Sequence, residues 1–421
     1  HQSDPAQPLS AFYVGYDKAA LYLRVDSSFG WESVGDGDLE VYFSREAQSA
    51  GSAMSHSRGS LLGFGAGTSV QLTVADGTVS DVKMRMADPG GGWSIADAAE
   101  GVRAEAGGTL LELAIPFDLI GEPIPGEAIN LRAIWRRSGA ADGEDAQLVP
   151  EAGPVHIILP DLSNVSYFLQ IDDPHGDDHG PGTYTYPTDP AFEPGVFDIK
   201  TFSAGVDGDE LVFRFDLYGP VHNPWASGIQ LSVQTFDVYI DFDPGKGTGG
   251  RRLLEGRNAS LAEGEGWDMA MWVEGWQQRV FAPGADGAPQ ALSGDLVRVI
   301  VDPRGSVTIR VKATAVDALG AQEDSDWALD PTTFGYLGLL LSQEGYPSPG
   351  VRRVRDVEAQ ASQWRIGGAP PDTNHTRIVD LAWPIEASPD QETLLSDYPS
   401  STSAVGSLGA EDFAQVHVVE P

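Results

Sequence analysis

Cysteine is absent from the 421 residues, which excludes disulfides, thiolate metal sites, iron–sulfur clusters and a cysteine nucleophile. Basic residues are scarce: 26 Lys and Arg against 62 Asp and Glu leave a formal charge of −36. A polyanion of that size repels phosphate, so nucleic-acid binding and adhesion to anionic lipid are excluded. No apolar run approaches the ~18 residues of a membrane span. No charged-then-apolar signal segment opens the chain, which starts at His1 as a processed protein would. A serine-hydrolase elbow, an H-E-x-x-H helix, a P-loop and a dinucleotide fingerprint are all missing. Sustained helical periodicity is missing too, since no stretch keeps a 3.6-residue apolar repeat beyond two turns.

What is present fills cores. Hydrophobic residues make up 41%, with 10 Trp, 12 Tyr and 16 Phe, so disorder is excluded. The 50 Gly and 29 Pro punctuate many short strands, and the length suits two domains of roughly 100–200 residues each. Period-2 alternation bounded by Gly, Asp and Pro predicts strands at Leu21–Asp26, Leu39–Phe43, Leu211–Asp216, Val238–Phe242 and Val307–Val311.

These strands recur at long range. Phe12–Asp17, Leu21–Asp26 and Asp38–Phe43 form one series; Phe202–Asp207, Leu211–Asp216 and Asp237–Phe242 form a second, about 190 residues later. The order continues: Val70–Val74 leading to Trp93 matches Met269–Val273, and Leu110–Ile115 matches Val307–Val311. The expected fold is therefore all-β, as two tandem immunoglobulin-like antiparallel β-sandwiches arising by internal duplication. Their expected bounds are 1–160 and 161–390, divided near Pro154–Leu162. Residues 391–421 lose periodicity: Ser400–Ser407 reads as a flexible spacer and Val416–Val419 as one final strand.

Chemistry concentrates in Ile171-Asp-Asp-Pro-His-Gly-Asp-Asp-His-Gly-Pro-Gly182, where four carboxylates and two imidazoles fall within eight residues. Carboxylates this dense repel one another, so the loop needs full solvation or a cation. Hard oxygens on a Gly-turned loop suit Ca²⁺, which takes six to eight of them at roughly 2.3–2.6 Å. EF-hand spacing is absent. A transition metal on His175 and His179 is the other reading, although Pro and Gly forbid the helix that would align the pair.

Asp172-Asp-Pro-His-Gly-Asp-Asp-His-Gly-Pro-Gly-Thr-Tyr-Thr-Tyr-Pro187 resembles the opening signature of the C-terminal domain of glucodextranase, a surface-layer-homology-like binding module also appended to pullulanases and other starch-active enzymes. The resemblance continues in order through Phe192–Asp198, Asn223-Pro-Trp225, Gln234–Asp241, Gly266-Trp-Asp268, Val273–Trp276, Trp364–Gly368 and Ile378–Leu381, covering about residues 165–390. The first copy is similar to DOMON and family-nine carbohydrate-binding sandwiches and lacks the acidic signature. The resemblance implies a sandwich that holds structural calcium near its start and contacts polysaccharide or cell-wall glycan. On that basis the metal candidates are Asp172, Asp173, Asp177 and Asp178, with Asp198 and Asp241 as additions.

Sugar-binding sandwiches offer Trp and Tyr faces to pyranose rings, which makes Trp225, Trp267, Trp272 and Trp276 candidates. A core position is the alternative for each, and parity separates Trp267 from Trp272 and Trp276 on a strand. Three of the five Asn lie in sequons, at Asn164, Asn258 and Asn374, so they are candidate glycosylation sites of an extracellular, cell-surface protein. Paired carboxylates for glycoside hydrolysis are too numerous here to single out, and a copper site at His1 with His56 or His156 lacks motif support. The expected function is a secreted, non-catalytic, calcium-stabilised carbohydrate-binding or attachment protein. The alternative is a structural subunit that self-assembles with copies of itself into a filament or surface layer.

Overall fold

Alternation decides which way each strand faces. In Ala20–Ser27, Leu21, Leu23 and Val25 are buried while Tyr22, Arg24 and Asp26 point outward, so one apolar stripe must be covered by a second sheet. The structure, a computed structural model, describes the chain except residues 1–7, 18, 46–50, 57–59, 89–91, 97–98, 121–127, 141–145, 160–163, 226, 285–286, 295, 313–314, 316–329 and 345–353. His1, most of the proline-rich start and part of the expected boundary segment therefore lie outside the described residues.

The chain forms two compact units, His1–Ser163 and Asn164–Pro421. The first contains β1 (Leu9–Tyr16), β2 (Ala20–Ser27), β3 (Gly37–Arg45), β4 (Ser52–Met54), β5 (Leu61–Ala66), β6 (Thr68–Ala75) and β7 (Thr78–Ala87). It continues with β8 (Trp93–Ala96), β9 (Arg103–Gly107), β10 (Leu110–Pro116), β11 (Ala128–Arg137), β12 (Ala146–Val149) and β13 (Val155–Ile158). Two single-turn helices, α1 (Trp31–Val34) and α2 (Phe117–Ile120), bridge between strands. One sheet has the order β1-β2-β10-β9; the other runs β12-β11-β3-β6-β7-β8, with β13 also on β11. Their facing apolar stripes form one core around Leu23, Val41, Leu72, Leu113 and Leu131, with Trp31 and Trp135 in edge-to-face contact at 5.4 Å.

The second unit contains β14 (Ser166–Asp172), β15 (Ile199–Asp207), β16 (Glu210–Leu217), β17 (Gln234–Asp241), β18 (Ala259–Leu261), β19 (Met269–Glu274) and β20 (Gln277–Pro283). It ends with β21 (Pro289–Ala291), β22 (Val297–Asp302), β23 (Ser306–Lys312), β24 (Gly335–Ser342), β25 (Ile378–Leu381), α3 (Gln391–Ser396) and β26 (Ala414–Val416). Its sheets are β14-β15-β16-β23-β22 and β21-β20-β19-β17-β24-β25. Strand for strand, and in the same chain order, β15-β16-β23-β22 matches β1-β2-β10-β9, and β25-β24-β17-β19-β20-β21 matches β12-β11-β3-β6-β7-β8. The recurring sequence blocks fall on these matched pairs. The unit adds β14 at the edge of its first sheet, and that addition carries the acidic loop.

Every residue of β17 is buried because both of its faces are covered. Phe236, Val238 and Ile240 enter the inter-sheet core, while Tyr239 joins a second apolar layer with Leu253, Leu261, Trp267 and Leu395. The tail, expected as a flexible spacer or a final strand, has the strand, and its spacer is bonded to the body of the unit. Residues after 390 form α3 and then β26, which pairs in parallel with β18. Thr373 donates its hydroxyl to the Ser401 carbonyl at 3.0 Å, and Tyr398 donates to Asp372 Oδ2 at 3.0 Å. Such side-chain-to-loop bonds need no apolar period, so alternation cannot reveal them.

Candidate metal centre

Strand parity sorts the acidic loop. Leu169 and Ile171 face the core, so Asp172 faces outward at the end of β14, where its Oδ1 accepts from Gln170 Nε2 at 3.1 Å. Asp172 is thus a surface residue outside the three-carboxylate group of Asp173, Asp177 and Asp380; its Oδ1 also accepts from the Thr201 hydroxyl at 3.4 Å and its carbonyl from the Ile385 N–H at 3.3 Å. Asp173 turns inward and is 1% exposed. Its Oδ1 accepts from the Trp383 N–H at 2.6 Å, and among the described residues its Oδ2 has no donor.

Gly180 and Gly182 make the fold-back possible. Both have positive φ, +56° and +79°, and a Cβ on Gly180 would lie 2.5 Å from the Tyr184 ring. The turn sets Asp177 beside Asp173, and β25 brings in a residue the acidic motif does not contain. One carboxylate oxygen from each of Asp173, Asp177 and Asp380 lies within 4.8 Å of the other two. Asp380 sits in the buried strand Ile378–Leu381 and accepts from the Ile199 N–H at 2.6 Å and the Leu381 N–H at 2.9 Å. Gln391, at the start of α3, ties the nest together. Its Nε2 donates to the Asp177 carbonyl at 2.6 Å and its Oε1 accepts from the Leu381 N–H at 2.7 Å.

Asp178 and Asp198 flank this centre. Asp178 accepts from the Tyr186 hydroxyl, and Asp198 accepts from the Gly176 N–H at 3.0 Å. Among the described residues, Asp177 Oδ1 and Asp198 Oδ1 are buried without a donor, like Asp173 Oδ2. The imidazoles stay at the rim. His179 Nδ1 lies 2.9 Å from the Tyr184 carbonyl, and His175 packs on the Tyr218 ring at 4.2 Å. Neither belongs to the three-carboxylate group, so the donors are hard oxygens.

Burial raises these acids, and their mutual repulsion adds to it. Asp173 is pushed up to about 9 by burial and then by Asp177, and Asp177 up to about 7 by burial and then by Asp198, Asp178 and Glu392. Asp198 rises to about 6, and Asp380, fully buried, lies well above the usual carboxylate range. Without a cation the folded state therefore holds protons that the unfolded chain releases near 3.8. The stabilising proton uptake is complete below about pH 4 and is lost as pH rises through about 6 to 9. The melting temperature of EDTA-treated protein should accordingly fall steadily from pH 5 to pH 9. A flat profile would show that the acids ionise freely.

A family described as the C-terminal binding module, SLH-like, of glucodextranase matches residues 168–408, over half of the chain. The chain belongs to this family. The match begins two residues into β14, takes in Asp173, Asp177, Asp380 and α3, and leaves the first unit outside it. No curated protein matches the chain. Among the described residues, no helix is long and apolar enough to cross a membrane.

Within the glucodextranase-type module, Asp241 belongs to a different group, with Asp243 and Asp268. There backbone and side-chain donors reach each carboxylate, while burial still raises Asp241 to about 6. Asp241 accepts from the N–H groups of Asp243 at 3.0 Å and Gly266 at 3.3 Å, Asp268 from the Phe242 N–H at 2.7 Å, and Asp243 from the Thr248 hydroxyl at 2.6 Å. Asp241 is therefore a candidate in this second group and not in the loop's.

The tryptophans divide as well. Trp267 is fully buried and donates Nε1 to the Arg252 carbonyl at 2.8 Å. Trp272 packs against the Arg257 guanidinium at 4.4 Å in the second apolar layer. Trp267 belongs to the core, and Trp272 is half-buried against it. Trp276 is exposed in the turn after β19. Trp225 is half-buried beside Trp364, with ring centroids 6.0 Å apart, and both adjoin Phe192. Trp364, 39% exposed, stands out in sequence only within the family-like segment Trp364–Gly368.

Two sequons are structural. Asn258 donates Nδ2 to the His375 carbonyl at 2.9 Å, and Asn374, wholly buried, donates to the Pro399 carbonyl at 3.0 Å. Neither amide is available for glycosylation in the folded unit, whereas Asn164 is exposed.

Proposed function

We propose that the second unit is a calcium-braced module that binds polysaccharide or cell-wall glycan, as part of a non-catalytic protein acting at the cell surface. The observation that carries this reading is the nest of Asp173, Asp177 and Asp380, with buried, donorless carboxylate oxygens on the loop that opens the matched module. Calcium there has Asp173, Asp177 and Asp380 as first candidates for its oxygens, with Asp198 alongside. The ion's role is structural: it joins the 173–182 turn to β25, two segments about 200 residues apart. Glycan contact is assigned to Trp225 and Trp364, whose partly exposed indoles lie beside hydrogen-bonding side chains. His222 approaches Glu193 at 3.4 Å, and Gln363 donates to Asp189 at 3.1 Å.

The test is retention of the full chain on insoluble starch, dextran gel and microbial cell-wall fractions. Binding in millimolar calcium should drop at least about tenfold for Trp225→Ala/Trp364→Ala, because truncated aromatic anchors typically cost more than ~1.4 kcal/mol. If this variant is retained as well as the parent on every material, Trp225 and Trp364 are packing residues only.

A further inference from the structure

The outward face of the first unit's four-stranded sheet carries a feature that its twin lacks. Register places Tyr13, Arg24, Glu112 and Glu105 on one rung across β1-β2-β10-β9, and Gly15, Tyr22, Ala114 and Arg103 on the next. Gly15 and Ala114 flank Tyr22, so its ring stands between two low positions. The result is an open groove of about 590 Å³ lined by both rungs. Tyr13 is 54% exposed and Tyr22 39%. Neither ring is loose: the Arg24 guanidinium lies 5.2 Å from the Tyr13 centroid, and the Tyr22 hydroxyl donates to Asp17 Oδ2 at 2.9 Å.

The equivalent rungs of the second unit read Ser203, Arg214, Thr308, Ile300 and Gly205, Val212, Arg310, Arg298. The glycine and the central arginine recur, and so does the pairing of that arginine with an aspartate two residues on, at 2.7 Å in both units. The tyrosines do not. In place of Ala114 the second unit has Arg310, which is buried and paired with Asp207 and Glu210. The shared residues are therefore sheet architecture, and the two tyrosines and the open position are particular to the first unit.

We infer that this groove binds a neutral oligosaccharide chain, at a site separate from the calcium-braced module. Charge selects the ligand class. The four charged residues lining the groove, Arg24, Arg103, Glu105 and Glu112, sum to zero, and Arg24 is already engaged by Asp26 and Tyr22 by Asp17, so no spare positive charge recruits an anion. Charged side chains break up the aromatic surface, which deprives a protein partner of the apolar centre that interfaces need. A sugar uses both features: its C–H faces pack on Tyr13 and Tyr22, and its hydroxyls donate to Glu105 and Glu112 and accept from Arg103. Four strands at ~4.8 Å spacing give a track roughly 14 Å wide, and the volume falls within the roughly 300–1,000 Å³ of small-ligand clefts.

The experiment is affinity electrophoresis of the full chain in gels containing soluble starch, dextran or mixed-linkage β-glucan. It is run on the Trp225→Ala/Trp364→Ala background, in calcium and again in EDTA, so that it is independent of the module's own binding. Retardation by at least one glucan is expected in both buffers. Tyr13→Ser/Tyr22→Val, which installs the second unit's own residues, should weaken it at least about tenfold. Glu112→Gln, a near-isosteric change, should weaken it several-fold without altering the first unit's melting. Absence of retardation in every gel, or retardation unchanged in the tyrosine variant, would overturn the proposal. So would a parent that sediments as a dimer and a tyrosine variant that sediments as a monomer, which would make the face a contact between copies.

Discussion

Stripped of calcium, the second unit should melt about 5–10 °C lower than in a hundredfold excess of the ion over its Kd, with the first unit's transition unmoved. An ion bound only by the folded state stabilises it by about 2.7 kcal/mol at that excess, and each kcal/mol moves the midpoint of a unit this size by roughly 2–4 °C. The sharper test is a change of sign. Asp177→Asn keeps the side chain's shape and removes one charge from the group it forms with Asp173 and Asp380. In EDTA at pH 8 the variant should melt higher than the parent, because repulsion in a buried site is relieved. In calcium it should melt lower, because a ligand charge is lost. Calorimetry under both conditions measures this directly. If EDTA moves neither transition and Asp177→Asn shifts both conditions alike, the nest holds protons and no cation. Because burial and mutual repulsion raise Asp173 and Asp177, calcium must displace protons to bind. The stabilisation it confers should therefore grow from pH 5 to pH 9.

Much of this was legible in the sequence because it is local. Alternation placed the strands, and the repeated blocks anticipated a ten-strand sheet order common to the two units. The acidic loop announced itself by charge density. Parity was the information left unused there: Ile171 faces the core, so its neighbour Asp172 faces solvent and Asp173 comes back in. Asp380 was harder to see, since about 200 residues separate it from the loop. Its signal was an acid inside the apolar run Ile378-Val-Asp-Leu381, which a strand buried at every position tolerates only with a partner. Trp267 is hard to place for a related reason. A sandwich with a second layer over one sheet buries both faces of its central strands, so an aromatic on the outward parity is still core. Nothing in composition distinguishes that case from an exposed platform.

Asp237 shows what such a doubly covered strand requires, and its removal should have the largest effect on stability. It lies in the middle of β17, wholly buried, and receives Arg257 Nε at 2.6 Å and Nη2 at 2.7 Å, with the Tyr239 hydroxyl at 3.1 Å. Arg257 is equally buried, lies over Trp272, and donates Nη1 to the Glu255 carbonyl at 2.9 Å. Its own carbonyl accepts from the Arg377 N–H at 3.0 Å, three residues before Asp380, so the ion pair also sets the entry to β25 and the three-carboxylate nest. Asp237→Asn leaves a guanidinium buried without its counter-charge, a change that costs about 3–5 kcal/mol. The second unit's midpoint should drop by roughly 6–20 °C on the same scale of 2–4 °C per kcal/mol. Calcium affinity should weaken with it, since β25 loses its anchor. Replacing both partners by apolar residues, Asp237→Leu with Arg257→Met, should recover most of the lost stability, because no charge then remains to be desolvated. Chemical denaturation of parent, single and double variants decides the matter. A single variant within 1 kcal/mol of the parent, by the ~1.4 kcal/mol-per-decade scale, or a double variant less stable than the single, would mean that packing around Trp272 and Tyr239, and not the pair's charge, holds this layer together.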